Sequence, residues 1–208
     1  MMFATNQFVR FGFLAAILMG LGAGWAAADD NHPLIGFRAP NLKGEFAVNG
    51  EPTTIRELKG KVVLVYFWAP WSPQCQGTSP HIQSWQKKYG NKLAVVGVTT
   101  YYKGLDFDDE SGKMVPVAGF NAEKNTGGLS VQQENKMIAR FAKKFRLKQL
   151  LMTVSKADWD KAEKAYNFSN LPAVYILDRA GVVRLVRVGA TAEDIIDVGG
   201  ELRNLLSN

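Results

Sequence analysis

KVVLVYFWAPWSPQCQGTSPHIQSWQKKYGNKLAVVGVTT, residues 61–100, decides the fold. Lys61 to Ala69 is a continuous apolar, β-branched and aromatic run, the pattern of a strand covered on both faces. PWSPQCQGTSPHIQSWQKKYG then reads as a loop entering a helix that ends near Gly90, and Lys92 to Thr100 is a second buried strand. Strand, helix and strand at this spacing form a βαβ unit, so the two strands are parallel and the crossover right-handed.

Working outward, residues 31–60 form a lead-in punctuated by Pro and Gly. Asn49-Gly50 marks a hairpin turn, and TTIREL (53–58) a helical turn packing Ile55 and Leu58. Residues 103–130 are Gly-rich and polar without periodicity and read as an inserted loop. Val131 to Leu147 is helical, with Ile138, Phe141, Ala142 and Phe145 on one face. QLLMTV (149–154) reads as a short strand and KADWDKAEKAYNF (156–168) as a helix. PAVYILD (172–178) and VVRLVRVG (182–189) make an antiparallel hairpin across Asp178–Gly181, and Ala192 to Leu206 is a closing amphipathic helix. The class is α/β: a central mixed sheet, largely parallel with an antiparallel hairpin, and helices on both faces. No internal repeat or second domain is visible.

The chain has 208 residues, 47% of them hydrophobic and 21% charged, which suits one globular domain and excludes a disordered chain. The net charge of +6 is spread along the sequence. Its densest cluster, Lys143, Lys144, Arg146 and Lys148, reads as a solvated helix face rather than a nucleic-acid surface. Arg10, an apolar run from Phe11 to about Ala23, and Ala26-Ala27-Ala28 before Asp29-Asp30 describe a signal peptide over residues 1–28, cleaved after Ala28. The domain then occupies 31–208 and is periplasmic. An uncleaved leader would instead anchor it in the inner membrane facing the periplasm, the only membrane association expected. Cys75 is the only cysteine, so no internal disulfide forms and any disulfide involves a second molecule.

Three motifs, GKVVLVYFWAPWSPQC (60–75), SNLPAVYILDRAG (169–181) and IGFRAPNLKGEF (35–46), resemble the thioredoxin-like TlpA/ResA family of periplasmic disulfide reductases, within the broader redoxin group that includes peroxiredoxins. The resemblance covers roughly residues 33–206 and implies a thioredoxin fold and thiol-redox function without a cofactor. It also implies a cis peptide bond at Leu171-Pro172 facing the active site, and a family position at Pro80. The departures carry as much information. The family's first cysteine is Ser72 here, its buried acidic residue on the preceding strand is Tyr66, and the Glu three residues after the second cysteine is Thr78.

In a Cys-x-x-Cys helix start, the first thiol is exposed where unpaired N–H groups and the helix dipole stabilise its thiolate, and the second resolves the mixed disulfide. Ser72-Pro73-Gln74-Cys75 lacks the attacking thiol, so exchange through an internal disulfide is closed to this chain. Three readings stand. The chain binds an extended peptide in a groove around Trp71, Pro73, Gln74, Leu171 and Pro172 without redox chemistry. Or Cys75 forms mixed disulfides with a thiol-containing protein partner. Or Cys75 is peroxidatic with Ser72 orienting peroxide, although Trp68 stands where the longer peroxiredoxin motif has a proline. Ser72 equally suits a helix N-cap and Cys75 a small buried apolar residue. No metal site is expected: His32 and His81 are far apart in sequence, and DFDDESG (106–112) reads as a solvated loop rather than a calcium loop.

Overall fold

The computed structural model describes residues 31–207; the signal peptide expected over residues 1–28 lies outside them. One six-stranded sheet organises the chain. In order of sequence its strands are β1 (Phe46–Val48), β2 (Val62–Phe67), β3 (Leu93–Thr100), β6 (Leu150–Val154), β7 (Ala173–Leu177) and β8 (Val183–Val188). Across the sheet they run β1-β6-β3-β2-β7-β8. β2 is parallel to β3 and β3 to β6, with Val62 opposite Leu93 and Val96 opposite Leu150. Antiparallel pairing reaches further than the expected hairpin: β7 pairs antiparallel with both β8 and β2, and β1 with β6. The sheet is therefore mixed throughout, because both ends of the parallel β2-β3-β6 centre are extended by strands running the other way.

Alternation along β2 divides the interior in two. Val62, Leu64 and Tyr66 face a core shared with Ile82, Met137, Ile138 and Val198. These come from α1 (Pro73–Tyr89), α2 (Val131–Lys144) and α4 (Ala192–Leu206). Val63, Val65 and Phe67 face a second core with Trp159 and Tyr166 of α3 (Lys156–Tyr166) and with Ile55 from the helical turn Ile55–Leu58. Phe67 anchors that side, stacking on Phe168 at 4.3 Å and meeting Tyr166 edge-on at 4.9 Å.

The lead-in and the insertion hold more structure than their sequences imply. Asn49 turns the chain at φ 65°, and the segments on either side fold back on each other, with Lys43 bridged antiparallel to Thr54 and the Gly44 N–H on the Thr53 carbonyl; β1, between that bridge and the turn, takes its sheet partner elsewhere. It joins the open edge of β6, and the Asn49 amide donates to the carbonyls of Leu147 and Gln149. Residues 103–130 are not featureless: β4 (Leu105–Asp108) and β5 (Lys113–Pro116) form a separate two-stranded sheet. Arg140 of α2 clamps it, donating to Asp106, Asp109 and the Phe107 carbonyl. Among the described residues, no helix is long and apolar enough to cross a membrane.

Candidate functional site

The site is built where β2 hands the chain to α1. After Phe67, Trp68 still donates its backbone N–H to Val98 of β3, so the strand's direction is held to the edge of the sheet. The Pro70–Trp71 turn follows, closed by the Ser72 N–H on the Ala69 carbonyl and by the Gln76 side chain on the Pro70 carbonyl at 2.8 Å. Pro73 occupies the first helical position, where no N–H is required and its fixed φ is already helical. Ser72 is the N-cap: its Oγ accepts from the Cys75 N–H at 3.3 Å and donates to Gln74 Oε1 at 3.2 Å. Thr78 turns back onto the Gln74 carbonyl.

Cys75 lies one turn in and is only 4% exposed. Burial pushes its thiol up from the ordinary cysteine range, and the Ser72 side chain and Ala69 backbone offset that only in part. Beneath it lies Tyr66. Its buried hydroxyl accepts from Gln149 Nε2 at 2.8 Å, and desolvation raises the phenol far above its usual titration. The ring has room because Gly97 faces it on β3: a Cβ there would lie 2.6 Å from the Tyr66 ring and hydroxyl. Trp68 packs between Tyr66 and Phe141.

The Leu171–Pro172 peptide bond is cis. Since Phe67 pairs with Ala173, Pro172 falls at the next register position, alongside Trp68 at the start of β7. The Pro172 carbonyl is taken by Gly189 and Ala190, and Leu171 is half-buried against both cores. Trp71, Ser72, Pro73, Gln74 and Cys75 are thus contiguous at the helix start, with Leu171 and Pro172 just before the neighbouring strand β7. His32 and His81 do not join them. His32 is buried, accepting from the Leu34 N–H and lying 3.1 Å from the Asn167 carbonyl, while His81 is exposed near Trp85. Among the described residues, no group of three His, Cys, Asp or Glu side chains could hold a metal ion.

The inserted segment supplies neighbours absent from the sequence reading. Trp71 stacks with Tyr102 at 4.7 Å, and Tyr102 meets Phe120 at 6.3 Å. Gly104 and Gly128 admit the Phe120 ring at distances a Cβ would violate, 2.5 and 2.8 Å. Glu134, 1% exposed near the start of α2, accepts from the N–H groups of Tyr102 and Lys103 at 2.7 and 2.6 Å. Desolvation raises its carboxyl above the ordinary range, against those hydrogen bonds. The signal that could have found this wall is the Tyr101-Tyr102 pair leaving a buried strand, followed by Gly104 and Gly127-Gly128: isolated glycines often mark close backbone approach.

Comparisons with known proteins agree with this architecture. The Redoxin family model matches residues 35–200. The chain is 27% identical over 154 residues to the thioredoxin-like protein YneN of Bacillus subtilis, covering 74% of this chain and 71% of that protein. It is 29% identical over 108 residues to the thiol-disulfide oxidoreductase ResA of Bacillus thuringiensis, covering 50% and 62% of the two chains. The solved thioredoxin-family thiol:disulfide interchange protein of Chlorobium tepidum superposes with a TM-score of 0.55 at 19% identity, over 81% of this chain and 95% of that one, a likeness of fold.

Proposed function

This chain belongs to the Redoxin family, and from that premise we propose that it is an exported thioredoxin-fold protein whose thiol chemistry depends on its partner. It holds an extended protein segment beside Trp71 and the Leu171–Pro172 edge, and it does not cycle an internal disulfide. One observation carries the reading. At the exposed helix start, where a dithiol enzyme needs its attacking thiol, Ser72 serves as an N-cap, and the lone thiol is shielded behind it. A serine hydroxyl is far less acidic than a thiol and forms no disulfide. Cys75 itself can only exchange once. Its thiolate attacks a partner disulfide, the Cys75–partner S–S bond forms, and the partner's other sulfur leaves as thiolate to take up the proton. With no second cysteine in the chain, release needs an external thiol. Burial makes the first step slow, so binding outlasts chemistry.

Turnover of insulin disulfides with dithiothreitol as donor tests this. The wild type should add nothing to the uncatalysed rate, whereas Ser72→Cys should form an internal disulfide with Cys75 and catalyse reduction. Equal activity of the two proteins would remove the argument from the missing thiol. Rapid sulfenic acid formation at Cys75 in the native wild type at low peroxide would instead favour a peroxidase, with Ser72 orienting peroxide.

A further inference from the structure

Behind Cys75, between α1 and the end of α2, lies a cavity of about 80 Å³. Tyr66, Trp68, Phe141 and Phe145 make its apolar walls, and Cys75 and Ser79 border it. Of the site residues only Cys75 lines it; Trp71, Ser72, Pro73, Gln74, Leu171 and Pro172 do not, so it reaches the thiol from the side away from the groove. At Pro80 and Gln83 it adjoins a wider, shallower depression rimmed by Gln86, Lys87 and Lys148.

Two properties distinguish this cavity from a packing defect. Trp68 Nε1 and Ser79 Oγ, on lining residues, are buried without a hydrogen-bond partner, and so is Gln86 Oε1 on the adjoining rim. Such groups cost about 1–3 kcal/mol each when unsatisfied. The indole N–H can only donate, so an occupant must bring an acceptor to it. Neither Lys87 nor Lys148 makes an ion pair among the described residues, so the rim presents two free cations beside an aromatic hole.

We propose that this cavity binds a short carboxylate with a second oxygen. The anionic group lies at the Lys87–Lys148 rim, a short hydrocarbon body packs against Phe141 and Phe145, and a carbonyl or hydroxyl oxygen accepts from Trp68 Nε1. The size suits that class. A dry cavity of roughly 150 Å³ admits a benzene ring, so a space near half that takes a few carbons, with the charged end outside. Because Cys75 borders the cavity, an occupant also covers the thiol from this side.

Titration with 5-oxohexanoate, followed by calorimetry and by the rate of Cys75 alkylation in the native protein, tests the site. Two truncated probes accompany it: hexanoate, which lacks the inner oxygen, and 2-hexanone, which lacks the anion. Saturable binding of 5-oxohexanoate, weaker binding of both truncations and slower alkylation of Cys75 are expected. Reversal of the exposed pair, Lys87→Glu with Lys148→Glu, should weaken 5-oxohexanoate about tenfold and leave 2-hexanone unchanged. No saturable binding of any probe would mean that the cavity holds water alone, and would overturn the proposal. So would 5-oxohexanoate binding that the charge reversal leaves intact, or binding no tighter than that of hexanoate. The insulin assay does not bear on any of these outcomes.

Discussion

At the scale of single residues, the surroundings of Cys75 are mutually consistent. Ser72 places a hydroxyl, not a thiol, at the helix start, and Tyr66 puts a neutral, buried phenol beneath Cys75. The Tyr66 ring in turn requires Gly97 opposite it. Gly97→Ala should therefore cost about 1–3 kcal/mol in the wild type, and less in a Tyr66→Leu background, because the closest clash is with that ring, while Leu151 Cδ2, 2.8 Å away, retains part of the cost. Urea unfolding of the two single variants and the double variant measures the coupling, and strict additivity would contradict it. Cys75 should react slowly with a thiol reagent in the native protein and rapidly once unfolded. Its folded thiol titrates above its unfolded value, so its contribution to stability is complete below the unfolded value and is lost as pH rises through the folded one. Alkaline loss of stability should be shallower in Cys75→Ala, where no thiol titrates.

At the scale of elements, the link between α2 and the insertion controls the wall beside the site. Glu134 holds the Tyr102–Lys103 backbone, and Tyr102 holds Trp71. Glu134→Ala leaves two N–H groups without their acceptor and should cost about 2–4 kcal/mol, with a change in Trp fluorescence from the loosened Trp71. Glu134→Gln keeps an acceptor and removes the charge. Because the buried carboxyl titrates above its unfolded value, its stabilising contribution is full at low pH and lost as pH rises through the folded value. Glu134→Gln should remove that decline from the pH profile of unfolding, and an unchanged profile would show that Glu134 does not titrate there. This wall was the least legible part of the sequence. The β2–α1–β3 unit announced itself through long apolar runs, and Ser72 and Cys75 through their spacing at a helix start. By contrast, β4 and β5 are four residues each and largely half-exposed or exposed, so they carry no period for a pattern to detect. Tyr102, Phe120 and Glu134 meet only through tertiary contacts. The same holds for Gln149, which reaches Tyr66 across 83 positions of sequence. Asn49-Gly50 marked a real turn that brings Lys43 opposite Thr54, while the sheet partner of β1 was decided by the open edge of β6, which no local dipeptide encodes.

At the scale of the whole molecule, stability must come from the two cores on either face of one sheet, since the lone cysteine can staple nothing. Continuous strands such as β2, all six of whose residues are buried, tie both cores to a single hydrogen-bonded unit, so neither face can melt alone without stripping the other. Unfolding of a chain beginning at Asp29 should therefore be a single transition, with the same midpoint by far-ultraviolet circular dichroism and by Trp fluorescence. The midpoint should be the same with and without dithiothreitol. That independence matters for a protein whose first residues, Arg10 through Ala28, read as an export signal. An oxidising compartment permits disulfides, and a cysteine pair at this helix start would make stability depend on its own redox state. Here only an intermolecular disulfide at Cys75 could do so. Protein recovered from the native host should begin at Asp29 by mass spectrometry and unfold at one temperature whether or not it is reduced. A midpoint that shifts with dithiothreitol, accompanied by a mass above that of the mature chain that reduction removes, would reveal a partner held covalently at Cys75. A shift without extra mass would contradict the two-core account of stability.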